Sequence, residues 1–242
     1  MKNTLIIKSL RPIRRMLQFL RGRDCFFRPD LNMESIRLGS EYGGWNIPKG
    51  TISSDSVVYA AGIGTDISFD LELVSRFGCH VHAFDPTPKS IQWLEEQDLP
   101  DKFHYYPWGL ADYNGEAQFH IPKNPTHISH SMIGSQVTTA ETVTVQVWTI
   151  KKIVGKLGHD RLDLLKMDIE GAEYAVLSDL LSSDLRPTLL LVEFHHRFKS
   201  IKAKATQNAV EKLRAEGYRL YSISPSGEEL CFIHRPTPPS RG

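Results

Sequence analysis

The segment from Leu162 to Tyr174 constrains the fold most, because it joins a buried strand, a pair of acids and a helix start. Its first half is apolar enough for a strand inside a parallel sheet, at Leu162, Leu164, Leu165 and Met167. Asp168 and Glu170 follow, and after Gly171 apolar residues recur at helical spacing. Ligands bind at the carboxyl ends of strands in open α/β sheets, so the acids indicate a site. Alternatively, one of them only caps the helix.

Length and composition limit the classes of protein that fit. The 242 residues suit one large domain, or one domain with an extension, and a hydrophobic content of 40% supports a core without disulfides or metals. The net charge of +1 argues against a nucleic-acid binder that works through a globally basic surface.

Cysteine usage and hydropathy predict a cytoplasmic protein. Cys25, Cys79 and Cys231 are widely spaced and form no CxxC pair, which indicates neither a zinc site nor a disulfide framework, and a reducing compartment fits best. No apolar run approaches the roughly 20 residues of a membrane span. Basic residues interrupt the apolar residues at the N-terminus, which argues against a signal peptide.

Residues 1–50 are predicted to form an N-terminal extension. Residues 1–30 carry eight Lys/Arg against two acids, and a helix from about Pro12 to Gly22 would place Ile13, Leu17 and Leu20 on one face. Such a helix packs on its own domain or on a second subunit of a homo-oligomer, or it makes a peripheral contact with an anionic membrane. Residues 37–50 combine glycines with the aromatic residues Tyr42 and Trp45 and suit a loop that closes as a lid over a ligand; an ordinary turn before a strand is the alternative.

A nucleotide-binding opening is predicted after residue 56. A β-rich run ends at Gly62-Ile63-Gly64, and a helix follows with Asp66 near its N-terminus. The next strand, His80–Phe84, ends at Asp85, about twenty residues past the glycines, where an acid accepts hydrogen bonds from ribose hydroxyls.

The third position of the glycine fingerprint separates two kinds of cofactor. A dinucleotide site has glycine or alanine there, and this chain has Ile67, whose branched side chain obstructs the close packing of a pyrophosphate loop. An NAD enzyme is therefore disfavoured. S-adenosylmethionine fits better, because it has a ribose for Asp85 and an amino-acid end for the glycine turn.

Further strands complete an α/β pattern. Residues 103–106 form the third strand, and the loop after it, with Leu110 and Ala111, faces the adenine of an adenosine ligand in this topology. Residues 117–121 and 143–147 are strands, and residues 149–157 form a helix. His127 and His130 lie between these strands and suit a polar loop better than a metal site, since no third ligand is near in sequence.

The fifth buried strand, from Leu189 to His196, is predicted to bring an imidazole to the acids. Alternation places Glu193 and His195 on one face and His196 on the other. A helix over residues 203–216 has Gly217 as its C-cap. A hairpin of residues 218–224 and 229–234 brings in the last strand antiparallel, and residues 236–242 form a disordered tail.

The chain resembles the class I S-adenosylmethionine-dependent methyltransferases, and more closely the FkbM-type methyltransferases. The resemblance covers roughly residues 40–234 and rests on five features: the glycine turn, Phe84-Asp85-Pro86, residues 109–112, residues 164–173, and Arg186-Pro187 before the fifth strand. It implies a doubly wound, Rossmann-like, mostly parallel seven-stranded sheet with an antiparallel last strand. The methyltransferase domain would span residues 51–235.

The resemblance implies methyl transfer, usually to a hydroxyl of a sugar, polyketide or other secondary metabolite. In this family an acid often precedes the glycine turn, whereas this chain has Tyr59-Ala60-Ala61, and Asp66 is a candidate substitute. The predicted cofactor-binding residues are Tyr42, Gly62, Gly64, Asp66, Asp85, Leu110, Ala111 and Asp168.

Asp168, Glu170 and His195 are the predicted catalytic residues. Either His195 or Asp168 acts as the base that takes the hydroxyl proton, or all three hold a divalent metal ion that acidifies the hydroxyl. A methyltransferase acting on protein or RNA is disfavoured by the balanced charge and by the lack of an Asn/Asp-Pro-Pro-Tyr-type motif. A non-catalytic S-adenosylmethionine-binding module is the remaining alternative.

Overall fold

The computed structural model of the chain describes residues 12–122 and 138–235. The predicted tail of residues 236–242 and the pair His127 and His130 lie outside the described residues. In chain order, the helices and strands are α1 (12–20), β1 (Ser35–Leu38), β2 (Trp45–Pro48), β3 (Val57–Ala61), α2 (Ser68–Phe77), β4 (His80–Phe84), α3 (Pro88–Glu95), β5 (Phe103–Tyr106), β6 (Gly109–Leu110), β7 (Gly115–Pro122), β8 (Thr138–Trp148), α4 (Ile150–Leu157), β9 (Leu164–Met167), α5 (Glu173–Ser182), β10 (Leu189–Glu193), α6 (Ala203–Ala215), β11 (Tyr218–Ile223) and β12 (Glu229–His234).

A seven-stranded sheet forms the centre of the molecule, with the strand order β11-β12-β10-β9-β3-β4-β5. Strand β12 runs antiparallel to both of its neighbours, and the pairs from β10 to β5 are parallel. The chain passes from β3 to β4 on one side and later returns to β9 on the other side. The strand order therefore reverses between β3 and β9, which is where open α/β sheets bind ligands. The predicted fold is confirmed.

Successive strand residues point to opposite faces, and each face is covered by helices. Val58 and Leu164 belong to the core on the side of α2 and α3, whereas Tyr59 and Leu165 belong to the core on the side of α4, α5 and α6. Burial on both faces explains why these strands are apolar at nearly every position.

Local sequence signals set the helix ends. Pro88 begins α3, and the Thr149 side chain caps α4 by accepting a hydrogen bond from the Lys152 backbone N–H at 3.2 Å. The C-cap of α6 is Glu216, so the predicted cap at Gly217 is one residue late. Gly217 follows the cap with a φ of 88°, a left-handed conformation that favours glycine.

Two smaller sheets were not foreseen as separate units. Strands β6, β8 and β7 form a three-stranded sheet, in which the predicted strands 117–121 and 143–147 extend to Gly115–Pro122 and Thr138–Trp148. The antiparallel hairpin of β1 and β2 takes up much of the predicted lid segment, and its residues Leu38 and Ile47 are buried in the core. The turn of residues 39–44 is the part of that segment that borders the cleft described below.

Helix α1 lies on the surface and ends before Gly22, whose φ is 66°. Ile13, Leu17 and Leu20 are 59%, 49% and 74% exposed, and Arg15 on another face reaches Asp24 at 3.3 Å. No helix in residues 12–122 or 138–235 is long and apolar enough to cross a membrane. A peripheral membrane contact and a homo-oligomer through residues 1–30 both stay predictions.

Candidate active site

A cleft of about 1220 Å³ opens at the carboxyl ends of β3, β4, β9 and β10. Most of the predicted cofactor-binding residues line it, namely Tyr42, Gly62, Gly64, Asp66, Asp85, Leu110 and Asp168. The predicted catalytic residue Glu170 lines it as well, together with Glu193. The parallel topology therefore gathers residues that are up to 151 positions apart in the chain, from Tyr42 to Glu193.

The glycine turn after β3 fits closely against the end of β9. Gly62 has a φ of 72°, and a Cβ atom at this position would lie 1.7 Å from the Asp168 carbonyl oxygen. Only glycine allows this approach of the two backbones. The Lys166 ammonium donates a hydrogen bond to the Gly62 carbonyl at 3.2 Å, which ties the turn to β9 a second time. The turn and the acid pair thus have a fixed separation.

Asp85 is held at the end of β4 by three hydrogen bonds. Its Oδ2 accepts one from the Gly64 N–H at 2.9 Å, and its Oδ1 accepts two from Thr87, from the N–H at 2.9 Å and the hydroxyl at 2.7 Å. A carboxylate has about four acceptor positions, so one position is left for a ligand hydroxyl. The glycine turn and the predicted ribose-binding acid are therefore one connected structure.

Asp66 connects the α2 end of the cleft to the turn of residues 39–44. Its Oδ2 accepts a hydrogen bond from the Ser40 hydroxyl at 2.6 Å, and its Oδ1 accepts one from the Ser68 N–H at 3.0 Å. Burial opposes ionisation, but these hydrogen bonds hold the pKa of Asp66 below its usual value. Tyr42, in the same turn, is 89% exposed at the rim of the cleft.

The far end of the cleft is apolar. Pro86, Leu110 and Phe119 line it, as expected for a surface that receives a flat adenine ring. Ala111 is only 1% exposed and packs in the core of the three-stranded sheet instead of forming part of the lining. Its predicted cofactor contact stays a prediction.

Carboxylates surround the imidazole of His195, which follows β10 and is not itself among the residues that line the cleft. Its Nε2 lies 3.6 Å from Asp168 Oδ1 and 3.5 Å from Glu170 Oε2, and its Nδ1 lies 2.5 Å from Glu173 Oε1. Glu170 has a φ of 54°, a conformation that residues other than glycine adopt infrequently and that occurs often at functional sites. The structure therefore brings together the three predicted catalytic residues.

Burial and mutual charge shift the ionisation of this cluster, which consists of Asp168, Glu170, Glu173, Glu193 and His195. Burial raises the pKa of Asp168, and burial together with the Asp168 charge raises the pKa of Glu193 to about 9. For His195 burial acts to lower the pKa, but the hydrogen bond and charge of Glu173, with the charges of Glu170 and Asp168, raise it to about 10. A protonated imidazole has no lone pair for a proton, so Asp168 is the better placed of the two predicted bases.

Glu173 and Glu193 were not among the predicted site residues. Glu193 alternates with His195 at the end of β10, and Glu173 lies in the first turn of α5, so both were within motifs already quoted. The ligand atoms of Asp168, Glu193 and His195 all lie within 4.8 Å of one another, whereas the predicted metal set had Glu170 in place of Glu193. His196 points away from this cluster, to Asp24 at 3.4 Å, as strand alternation predicts.

A second group of potential metal ligands, Asp24, Cys25 and His196, is fully buried below α1. Arg15 and Arg197 already pair with the Asp24 carboxylate, at 3.3 Å and 2.7 Å. Burial also raises the pKa of the Cys25 thiol to about 12, which keeps it protonated. This group is therefore a structural ion-pair network that attaches the N-terminal segment to the loop after β10.

Comparison with known proteins identifies the family. The sequence model of the methyltransferase FkbM domain matches residues 57–220, which includes the glycine turn, Asp85 and the acid–imidazole cluster. The crystal structure of methyltransferase FkbM from Methylobacillus flagellatus is similar with a TM-score of 0.47 and 16% identity, over 75% of this chain and 44% of that one. Fibrillarin from Methanococcus jannaschii gives a TM-score of 0.45 and 9% identity, over 76% of this chain and 69% of that one.

Two curated proteins are also similar. Probable methyltransferase-like protein 24 from Homo sapiens is 25% identical over 175 residues, which is 68% of this chain and 41% of that protein. Its Rattus norvegicus counterpart is 24% identical over 174 residues, which is 68% of this chain and 42% of that protein. The chain thus spans about two fifths of the length of these relatives. Because the FkbM match covers most of the chain and includes β3, β4, β9 and β10, whose carboxyl ends form the cleft, this chain belongs to the methyltransferase FkbM domain family.

Proposed function

We propose that the chain uses S-adenosylmethionine to methylate a hydroxyl of a sugar or of a small secondary metabolite. The observation that carries this proposal is one cleft that is lined both by adenosine-type anchors and by Asp168, Glu170 and Glu193 of the acid–imidazole cluster. A methyl donor bound along the cleft would place its reactive end beside Asp168.

The side chains of the cleft suit each part of S-adenosylmethionine. Asp85 would accept hydrogen bonds from the ribose hydroxyls, and Leu110 with Phe119 would contact the adenine. Asp66, which is ionised, would bind the ammonium group of the methionine end, and Tyr42 would cover the bound molecule. The hydrogen bond from the Gly64 N–H to the Asp85 carboxylate holds the glycine turn and Asp85 in fixed relative positions before the ligand binds.

The cofactor supplies a methyl group on a sulfonium sulfur, which an acceptor oxygen takes by in-line displacement while the electron pair of the C–S bond stays on sulfur. The protein holds the acceptor hydroxyl at the cluster and disposes of its proton. Asp168 lies closest to the glycine turn, since its carbonyl is packed against Gly62, and its carboxylate is the proposed proton acceptor. Glu173 holds the His195 ring in position beside it.

The region outside the cluster suits a polar acceptor of modest size. Arg37, Glu41, Ser226, Glu228 and Glu229 line this part of the cleft and offer both donors and acceptors to hydroxyl groups. Several of these side chains are acidic, which disfavours a nucleic acid with its phosphate charges. A sugar or a hydroxylated metabolite matches this lining.

Calorimetry tests the cofactor. We expect S-adenosylmethionine to bind in a one-to-one ratio, and Asp85→Ala to weaken binding by at least about 10-fold, because a charged hydrogen-bond acceptor is lost from a buried site. Asp101→Ala is the matched control, since Asp101 is exposed and distant from the cleft. Absence of binding to the unmodified chain would contradict the proposal.

A transfer assay with methyl-labelled cofactor tests the acceptor class. We expect label in sugars or hydroxylated small molecules, and none in protein or RNA fractions. Label that appears in a polymer would favour the protein or RNA methyltransferase. Tight cofactor binding without transfer to any acceptor would favour a non-catalytic binding module.

A further inference from the structure

The acid–imidazole cluster has more acidic than basic side chains. Four carboxyl groups, those of Asp168, Glu170, Glu173 and Glu193, lie around the imidazole of His195. The Lys166 ammonium acts on Asp168 through its charge, but it donates its hydrogen bond to the Gly62 carbonyl. Carboxylates this close together in a partly buried site are normally paired, or they coordinate a cation.

Three of these groups have the spacing of ligands to one ion. The ligand atoms of Asp168, Glu193 and His195 lie within 4.8 Å of one another, and Asp168 Oδ1 is 3.6 Å from His195 Nε2. Ligands about 2.1 Å from an octahedral ion are about 3.0 Å apart when adjacent and about 4.2 Å apart when opposite. Side-chain movements of a few tenths of an ångström would therefore bring the three atoms onto one ion.

The orientation of His195 is an independent observation that also points to a cation. Its Nδ1 faces Glu173 Oε1 at 2.5 Å, and Glu173 is completely buried and held by the Gly171 N–H at 3.1 Å. An imidazole that ligates a metal usually donates its other N–H to a carboxylate in this way. Glu173 thus fixes the ring with Nε2 toward the side of Asp168 and Glu170, whose carboxylates line the cleft.

We propose that Asp168, Glu193 and His195 bind one divalent cation at the end of the cleft, with Glu170 beside it and Glu173 as the positioning residue of His195. The two carboxylates suit Mn²⁺, which also serves as a spectroscopic probe of the site. The cation would take the place of the protons that His195 and Glu193 hold in its absence, since metal binding releases protons from its ligands. Three protein ligands leave positions open on the ion for an acceptor oxygen. This inference rests on the proposed function and refines it: with Asp168 bound to the cation, the acceptor hydroxyl next to the methyl donor would have a lower pKa and would release its proton to solvent instead of to Asp168.

Titration of the metal-stripped chain with MnCl₂, followed by electron paramagnetic resonance and calorimetry, tests the site without an acceptor. We expect one Mn²⁺ per chain. Glu193→Gln and Asp168→Asn should each weaken binding at least about 10-fold, and Glu173→Gln, which leaves all three ligands in place, about 10–100-fold. The paired control is His80→Gln with His104→Gln, which removes two histidines at the other edge of the sheet and should leave the Mn²⁺ affinity unchanged.

Circular dichroism of each variant separates loss of a ligand from loss of the fold. Mn²⁺ binding that is absent, that keeps its affinity in both Glu193→Gln and Asp168→Asn, or that is lost in the His80/His104 control would overturn the proposal. Full transfer activity after verified removal of all metal would overturn it as well. Failure of S-adenosylmethionine binding instead counts against the proposed function alone, because the Mn²⁺ titration does not require the cofactor.

Discussion

His195 and His82 lie at opposite edges of the same sheet and differ in what surrounds them. Each is 7% exposed. Carboxylates around His195 overcome the effect of burial and raise its pKa to about 10, whereas burial and the neighbouring histidines lower the pKa of His82 to about 3. Equal burial thus gives opposite charge states, and the neighbours that the fold supplies decide which one occurs.

The amino edge of the sheet is a stack of imidazole and phenol rings. The His82 ring lies 4.8 Å from the His104 ring and 4.6 Å from the His159 ring, and His80 Nδ1 is 2.9 Å from His104 Nε2. The Tyr59 hydroxyl and His159 Nδ1 are 2.7 Å apart. These rings satisfy each other, which predicts a contribution to stability and none to catalysis. At the carboxyl edge, carboxylates instead of stacked rings supply the polar groups.

Replacement of each buried histidine by glutamine is the strongest test of this difference between the two edges of the sheet. We expect His195→Gln to lower kcat by about 10²–10⁴-fold, the range for loss of general base catalysis, because the His195 charge 3.6 Å from Asp168 favours the ionised form of that proposed base. His82→Gln should leave kcat within about twofold once the measurement is corrected for the folded fraction. Steady-state kinetics of both variants, with cofactor affinity by calorimetry, gives the comparison. Equal losses of kcat would remove the distinction between the two edges.

Glu173→Gln tests whether a residue behind the site acts through His195. The substitution keeps the shape but removes the charge at 2.5 Å from Nδ1, so we expect a loss of about 10–100-fold in kcat with little change in the affinity for the cofactor. Glu173→Asp should restore part of the activity if the charge is what matters. A Gln variant as active as the parent would show that Glu173 only supports the fold.

The amino edge should make the protein sensitive to acid. Because the pKa of His82 falls from 6.5 to about 3 on folding, the unfolded state binds a proton between these values while the folded state does not. Stability therefore decreases as the pH falls below 6.5, by about 2 kcal/mol at about pH 5. Urea unfolding at about pH 5 and about pH 7.5 measures this difference, and His82→Gln should reduce it by about that amount. An unchanged pH dependence in the variant would contradict the assignment.

Tyr59→Phe should have the smallest effect. It removes the hydroxyl that is 2.7 Å from His159 Nδ1 and keeps the ring packing, so we expect a loss of about 1 kcal/mol in the free energy of unfolding and no change in kcat. Thermal unfolding and kinetics on the same preparation give both values. A fall in kcat would mean that the two edges of the sheet are coupled.

Much of the cofactor end of the cleft is predictable from local sequence. Gly62, Gly64 and Asp85 follow strands that periodicity identifies, and their spacing alone indicates a nucleotide site. The catalytic end is less predictable, since Glu173 and Glu193 are ordinary acids in the sequence. Glu173 matters through its contact with His195, and Glu193 through its proximity to Asp168. The members of each pair are more than twenty residues apart along the chain. The pairing of β6 with β8, and the core position of Ala111, depend on such non-local contacts as well.

The sequence by itself determined the alternation of strands and helices, the antiparallel last strand and the edge of the sheet that carries the site. Hydrophobic periodicity and turn residues act over a few positions, and they are enough to specify these features. Only the tertiary structure decided that Gly62 meets the Asp168 carbonyl, that Glu193 joins Asp168 and His195, and that His195 and His82 carry different charges. Electrostatic interactions depend on distance in space and on burial, neither of which local sequence specifies.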